Sequence, residues 1–470
     1  MHDRMVQPCR VLSAGVLVVA ALTLGASTGR AEGLLNAACA PGQKLIVQDY
    51  KDPATSRTPR GHAMAAFTRG KNAAGVDTDY MMMVWSQDSG KGDGGISFWN
   101  WDNPQSWSQP RLKKHFPAPV LREAHSVPAT NLFGGDWRTF VLQATSGFSV
   151  LDLDSVASPK LLATYAIAGA ARGGKGSPAS CRDGCSTSYD AAARDYTEGA
   201  VWFIALAAPY IYVAQADNGL NIYRFTSTSN GGQIAWVKRL DKSWFGHRVN
   251  QVWVMGNLLV ATASQLAYGV TLADISDPAN PVRKNRYDLG TSPFTRETYS
   301  WTLHGTRLYG AARFKYRLND PGLQVYAIDG NAFSLRHVGG VRGSCGAGGY
   351  ASVQDRHAHI GLSTCYQRFD TGTLTPSSPT NPPWTIGITG ADHDFTTPFA
   401  NTVLVGNDHQ STPGSMLLCH TAARDTTRPS VNGQMPPKGA GGIKVTTGLG
   451  ISFTDNLKPW TIGTGTLPIR

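Results

Sequence analysis

One short pattern recurs along the chain and decides most of what it can fold into. A glycine opens a run in which apolar and polar residues alternate: Gly95-Ile-Ser-Phe-Trp, Gly147-Phe-Ser-Val-Leu-Asp, Gly219-Leu-Asn-Ile-Tyr, Gly269-Val-Thr-Leu-Ala-Asp, Gly322-Leu-Gln-Val-Tyr and Gly414-Ser-Met-Leu-Leu-Cys. A degenerate copy begins near Tyr366, which makes seven. Alternation of this kind is the period of a half-buried β-strand. Several copies end in Asp, Asn or Pro, residues that start turns.

A second marker precedes the first. Gly61-His62, Ala124-His125, Gly246-His247 and Asp392-His393 each open a further strand-like segment. His125 to Gly147 and His247 to Gly269 are both 22 residues, and His393 to Gly414 is 21. Counting back in the other units lands near Glu198, Tyr299 and Tyr350. Three strands and a trailing fourth in a unit of about 50 residues is the arithmetic of a propeller blade, not of a helical solenoid. The expected fold is therefore all-β: a single β-propeller over residues 32–470, with seven blades preferred and eight as the alternative. Because open sheet edges invite aggregation, the ring should be closed by strands from both chain ends. Lys44-Leu-Ile-Val-Gln is the candidate from the beginning of the chain.

The segment Gly269-Val-Thr-Leu-Ala-Asp-Ile-Ser-Asp-Pro-Ala-Asn-Pro, with its histidine 22 residues earlier, resembles the repeat of bacterial LVIVD-repeat proteins. Gly147-Phe-Ser-Val-Leu-Asp-Leu-Asp-Ser-Val-Ala-Ser-Pro resembles it less closely, and both ends of the chain do not. The resemblance implies an exported or surface-associated β-propeller. That family is described by its repeat, so the resemblance implies no catalytic residues.

Two stretches interrupt the pattern. Residues 169–188, rich in Gly, Ser, Arg and Lys, read as a loop inserted between blades, and residues 425–470 read as a closing tail that adds an extra strand pair to the last blade. Residues 1–31 read as a secretory signal, with Arg4 and Arg10 ahead of an apolar run from Val11 to Ala26 and cleavage after Ala31. That run falls short of the ~20 residues needed to span a bilayer. Secretion or export to the periplasm follows, with no membrane span after the signal is removed and a monomeric product.

Removing residues 1–31 takes Cys9 away and leaves Cys39, Cys181, Cys185, Cys345, Cys365 and Cys419. An even number in an exported chain points to three disulfides, and six cysteines allow 15 pairings. Cys181 and Cys185 flank a tight Arg-Asp-Gly turn, and Cys345 and Cys365 bracket one hairpin, which leaves Cys39 with Cys419.

In a propeller, equivalent positions on different blades converge around one channel. His62, His125, His247 and His393 are thus candidate ligands for a transition metal (Cu, Fe or Zn). Glu123, Glu198, Tyr299, Tyr350, Asp392 and Asp394 are candidates to orient them or complete the ring. The same recurrence also fits a structural role, hydrogen bonding to a neighbouring backbone, and it fits an organic ligand. His357 and His359 alternate on one strand and share a face, while His409 and His420 fall on later strands. Two function classes follow. The first is an exported scaffold that binds a protein, glycan or small molecule through its channel mouth and loop face. The second is a metal-dependent enzyme built on the four histidines.

Other chemistry is excluded by context. Gly25-Ala-Ser-Thr-Gly matches a nucleophile elbow but lies in the signal, and Gly90-Lys-Gly-Asp-Gly-Gly opens a strand where a dinucleotide site needs a helix. Of the formal charge of +11, the signal carries two units, leaving about +9. The densest basic points are Lys113-Lys114-His115 and Arg283-Lys284-Asn285-Arg286. Nucleic-acid binding wants a concentrated stripe on a suitable module. A thin spread suits weak attraction to anionic cell-surface polymers better.

Overall fold

The computed structural model describes residues 39–48, 65–72, 74–85, 95–99, 112–115, 139–144, 147–155, 157–166, 201–228, 231–263, 269–289, 298–312, 322–341, 348–362, 365–376, 384–385, 395–406, 415–421, 430–435 and 450–453. Strand β1 (Lys44–Gln48) comes first and stands apart from its sequence neighbours. The first sheet is β2 (Ala65–Lys71), β3 (Asp77–Trp85), β4 (Gly95–Trp99) and β5 (Leu112–His115). The second is β6 (Thr139–Ala144), β7 (Gly147–Asp152) and β8 (Lys160–Ala166). The third is β9 (Phe203–Ala207), β10 (Tyr210–Ala214), β11 (Leu220–Thr228) and β12 (Gly231–Leu240).

A one-turn helix, α1 (Lys242–Phe245), leads into the fourth sheet: β13 (Gln251–Met255), β14 (Leu258–Thr262), β15 (Val270–Asp274) and β16 (Val282–Tyr287). The fifth is β17 (Thr298–His304), β18 (Arg307–Ala312), β19 (Leu323–Asp329) and β20 (Ser334–Val341). The sixth has β21 (Gly348–Gln354), β22 (His357–Leu362) and β23 (Cys365–Asp370), edged by the short β24 (Thr375–Pro376) and β25 (Trp384–Thr385). The seventh joins β26 (Phe395–Phe399), β27 (Thr402–Gly406) and β28 (Ser415–Cys419) to β1. A ribbon of β29 (Val431–Met435) and β30 (Gly450–Phe453) completes the described strands.

All these pairings are antiparallel, and the architecture is a β-propeller. The repeat glycine opens, or directly precedes, the third strand of each blade: β4, β7, β11, β15, β19 and β28, with β23 as the degenerate copy. In the second blade, the strand that the repeat places before β6 lies outside the described residues. The first strands are neighbours across blades, with β9 against β13, β13 against β17, β17 against β21 and β21 against β26. They form the inner layer.

The core is divided among the seams between blades. Between the third and fourth, Phe203, Tyr212, Leu220 and Ile222 meet Val252, Leu259 and Ala273. Between the fifth and sixth, Tyr309, Leu323 and Val325 meet Ala351, Val353 and Ile360. A fully buried side chain of this size contributes about 1.5–3 kcal/mol, so each seam is a substantial core.

One expectation is corrected. Alternation led us to expect third strands with one wet face, yet the polar residue two places after the repeat glycine is buried in four blades: Ser149, Asn221, Thr271 and Gln324. A blade is covered on both faces by its neighbours, so the polar face is also interior and each of these side chains must find a partner. Ser149 bonds Thr164, Asn221 bonds Gln215 and Trp236, Thr271 bonds His247, and Gln324 bonds His337.

The seventh blade draws strands from both ends of the sequence, as expected. β1 pairs with β28 from Lys44 opposite Leu418 to Gln48 opposite Ser415. Cys39 and Cys419 are joined by a disulfide with Cα atoms 6.1 Å apart. Cys181, Cys185 and Cys345 lie outside the described residues, as do the signal segment 1–31 and the inserted loop 169–188. The tail departs from expectation. The β29–β30 ribbon was expected on the last blade, but its described contacts run to the fourth and fifth. Met435 enters the core they share, Ser452 Oγ accepts from Gly305 N at 2.9 Å, and Asn432 Nδ2 lies 2.6 Å from His304 Nε2. Among the described residues, no helix is long and apolar enough to cross a membrane.

Candidate functional site

Of the four strand-opening histidines, His247 is described; His62, His125 and His393 lie outside the described residues, as do Glu123, Glu198, Asp392 and Asp394. His247 sits between α1 and β13, where Gly246 (φ 75°) ends the helix in a left-handed conformation. Its Nδ1 lies 2.7 Å from the Arg248 carbonyl oxygen, and a carbonyl only accepts, so Nδ1 carries the proton. Its Nε2 lies 2.9 Å from Thr271 Oγ1 on the third strand of the same blade. Both nitrogens are thus engaged within the protein, which leaves no lone pair directed at a channel ligand. Burial pushes its pKa down to about 4.

The ring also covers the repeat glycine. A β-carbon at Gly269 would fall 2.2 Å from His247 Cδ2, so the two sequence markers are one contact. Nearby, Asp217 accepts from Lys242 and from Arg248, each at 2.5 Å. Burial raises its pKa, but these two bonds outweigh burial and hold the carboxyl below its ordinary range. Together they pin the β10–β11 loop to the segment entering β13.

The positions counted back in the other blades do not superimpose on His247. Tyr299 lies within β17 and Tyr350 within β21, whereas His247 precedes its strand. A fixed count fails because the units differ in length: the stretch before the third strand runs from Thr262 to Val270 in the fourth blade, from Ala312 to Leu323 in the fifth and from Leu362 to Cys365 in the sixth, and β17 is longer than β13. Tyr350 stacks on Phe395 of the next inner strand, centroids 4.6 Å apart and 15° from parallel.

A second set, which the repeat did not reveal, lies between the sixth and seventh blades. His357 and His359 share one face of β22, as their spacing predicts, and His420 comes to them from the end of β28. The ring centroids of His359 and His420 are 4.7 Å apart, and those of His357 and His420 are 6.2 Å apart. His420 Nε2 donates to the Ala400 carbonyl oxygen at 2.9 Å, so Nδ1 must accept, and Arg368 Nη1 and Thr421 Oγ1 lie 3.2 and 2.9 Å from it. Arg368 Nη1 also donates to the His420 carbonyl oxygen and to Thr421 Oγ1.

His359 Nδ1 lies 2.6 Å from Tyr366 Oη, while its Nε2 is buried without a hydrogen-bond partner. Burial, then the Arg368 charge, lowers His357 to about 4 and His420 to about 3; burial also holds His359 well below its ordinary range. Asp370 faces the other way, into its own turn and Arg356. The set is a row of neutral rings against a cation. Among the described residues, no three His, Cys, Asp or Glu side chains converge as a metal site requires.

No family model and no curated protein matches the chain. Solved structures do resemble it. The periplasmic gluconolactonase of Pseudomonas aeruginosa aligns over 62% of this chain and 78% of its own at 13% identity, TM-score 0.44. A putative 6-phosphogluconolactonase from Bacteroides uniformis aligns over 62% and 77% at 13% identity, TM-score 0.41. The Cps50 (Swd1) β-propeller domain from Myceliophteria thermophila aligns over 78% and 98% at 9% identity, TM-score 0.44.

Proposed function

We propose that this chain is an exported β-propeller that acts as a binding scaffold through its channel mouth and loop face, and that its strand-opening histidines build the blades. One observation carries this reading: both ring nitrogens of His247 are spent inside the fourth blade, and the ring packs on Gly269. A residue in that arrangement sets where the inner strand begins and presents nothing reactive to the channel. The Cys39–Cys419 bond supports residence outside a reducing cytoplasm.

The test compares untagged full-length protein with its His247→Ala variant. The scaffold reading expects less than about 0.1 equivalent of transition metal in either, an apparent melting temperature indifferent to chelator, and a clear drop in that temperature on substitution. One equivalent of copper, iron or zinc that disappears in the variant would overturn it.

A further inference from the structure

Charge is sorted by strand position in this propeller. Among the described residues, the fourth, outermost strands hold ten Lys or Arg and no Asp or Glu: three on β16, two each on β5 and β12, and one each on β1, β8 and β20. The described first, second and third strands together hold five basic and six acidic residues. Among the described strands, the net positive charge therefore lies at the rim.

Edge strands commonly carry charge to block edge-to-edge pairing, but either sign serves that purpose. Ten of one sign ask for a further reason. Among the described residues, Arg239 lies 3.0 Å from Asp241, Lys284 lies 3.7 Å from Asp274, and Lys160 stands opposite Asp152 across the β7–β8 pair; such part-exposed pairs are weak. Large apolar side chains are exposed on the same strands, with Leu161 on β8, Trp236 on β12, Val282 on β16 and Val338 on β20. Trp236 is 56% exposed and two residues from Lys238, a flat apolar face beside a cation.

We propose that this rim is a docking surface for an anionic polysaccharide. Charge complementarity selects the sign of the partner. The convex outline selects its form, because a flat bilayer or a stiff duplex touches such a rim at one or two blades, whereas a flexible chain follows it from strand to strand. Trp236 supplies the stacking face that a sugar ring uses. The surface is separate from the loop face, so it stands or falls independently of the scaffold reading.

The experiment measures binding of the full-length protein to immobilised polygalacturonate, with uncharged dextran as control. It adds the Lys160→Glu/Arg336→Glu double variant, checked for an unchanged melting temperature, and, for the loop face, Lys242→Glu, which loses its bond to Asp217 and is checked for a retained cooperative unfolding transition. Retention on polygalacturonate alone, falling steeply with added salt, is expected. The double variant should bind at least about tenfold more weakly, since each basic group near an anionic surface contributes on the order of 1 kcal/mol; Lys242→Glu should change affinity less than about twofold. The proposal is overturned by retention on dextran, by indifference to the rim reversals, by loss in Lys242→Glu instead, or by tighter binding at equal salt to duplex DNA or to anionic phospholipid vesicles.

Discussion

The imidazole of His247 lies directly over Gly269, 22 residues further along the chain, leaving no room there for a β-carbon. The repeat is thus written in contacts: a ring closes over the start of the third strand, and a hydroxyl two residues on, at Thr271, meets its Nε2.

Gly269→Ala should be strongly destabilising, by about 3 kcal/mol, because the ring is itself buried and has nowhere to go. His247→Ala alone should cost about 2–4 kcal/mol through lost packing and the lost bond to Thr271, whose hydroxyl keeps the Phe245 carbonyl as a partner. In the double variant the penalty for the alanine at 269 should shrink to about 1 kcal/mol, since the obstructing ring is gone. Urea unfolding of all four proteins measures the coupling; strictly additive costs would show that the two residues act separately.

Loss of the Cys39–Cys419 bond, which spans 380 residues, should lower stability by about 2–5 kcal/mol. The Cys39→Ser/Cys419→Ser variant should melt earlier than the oxidised parent. Peptide mapping without reductant should recover the linked pair, and a link from Cys39 to any other cysteine would rule the assignment out.

Stability should fall between pH 7.5 and pH 5. A histidine whose folded pKa lies below its ordinary ~6.5 favours the fold while neutral; that stabilisation is complete above ~6.5 and is lost as pH falls toward the folded value. For His420, lowered to about 3 by burial and by the charges of Arg368 and His357, the loss by pH 5 is about 2 kcal/mol. His357, His359, His247 and His304 act in the same direction. Carboxylates remain largely ionised in this window, so the slope reports histidines. It should flatten in His420→Gln, and equal urea midpoints at both pH values would refute the seam's role.

Ser452→Ala should release the tail ribbon locally. Gly305 N donates to Ser452 Oγ, so its amide should exchange with deuterium about five- to thirtyfold faster in the variant, corresponding to about 1–2 kcal/mol. Unchanged protection at Gly305 would mean that the ribbon is held by Met435 and Asn432 alone.

The blades were legible because six of the seven copies place the repeat glycine at or just before the start of the third strand, and a strand's period survives in sequence. The disulfided end was legible from cysteine positions. What escaped was set by contacts between blades. His357, His359 and His420 belong to two units, and nothing in either unit's pattern announces a partner across the seam. The buried polar face of the third strands escaped for the same reason, since alternation records that two faces differ, not that both are covered. A fixed count does not carry His247 onto Tyr299 or Tyr350, because both strand and loop lengths differ from unit to unit. The rim charge needed strand order before its segregation could be seen.

Pairing β1 with β28 also has a kinetic consequence. The first of the described strands to be made is among the last to find its place, since its partner ends at Cys419. Until then Lys44–Gln48 is an unpaired edge, and the three strands of the last blade lack their fourth. Contacts this distant in sequence slow the final step of assembly. The pairing of β1 with β28 and the Cys39–Cys419 bond are therefore expected to form late in assembly. Aggregation, proteolysis and mispairing of cysteines should concentrate on chains in which β28 still lacks β1.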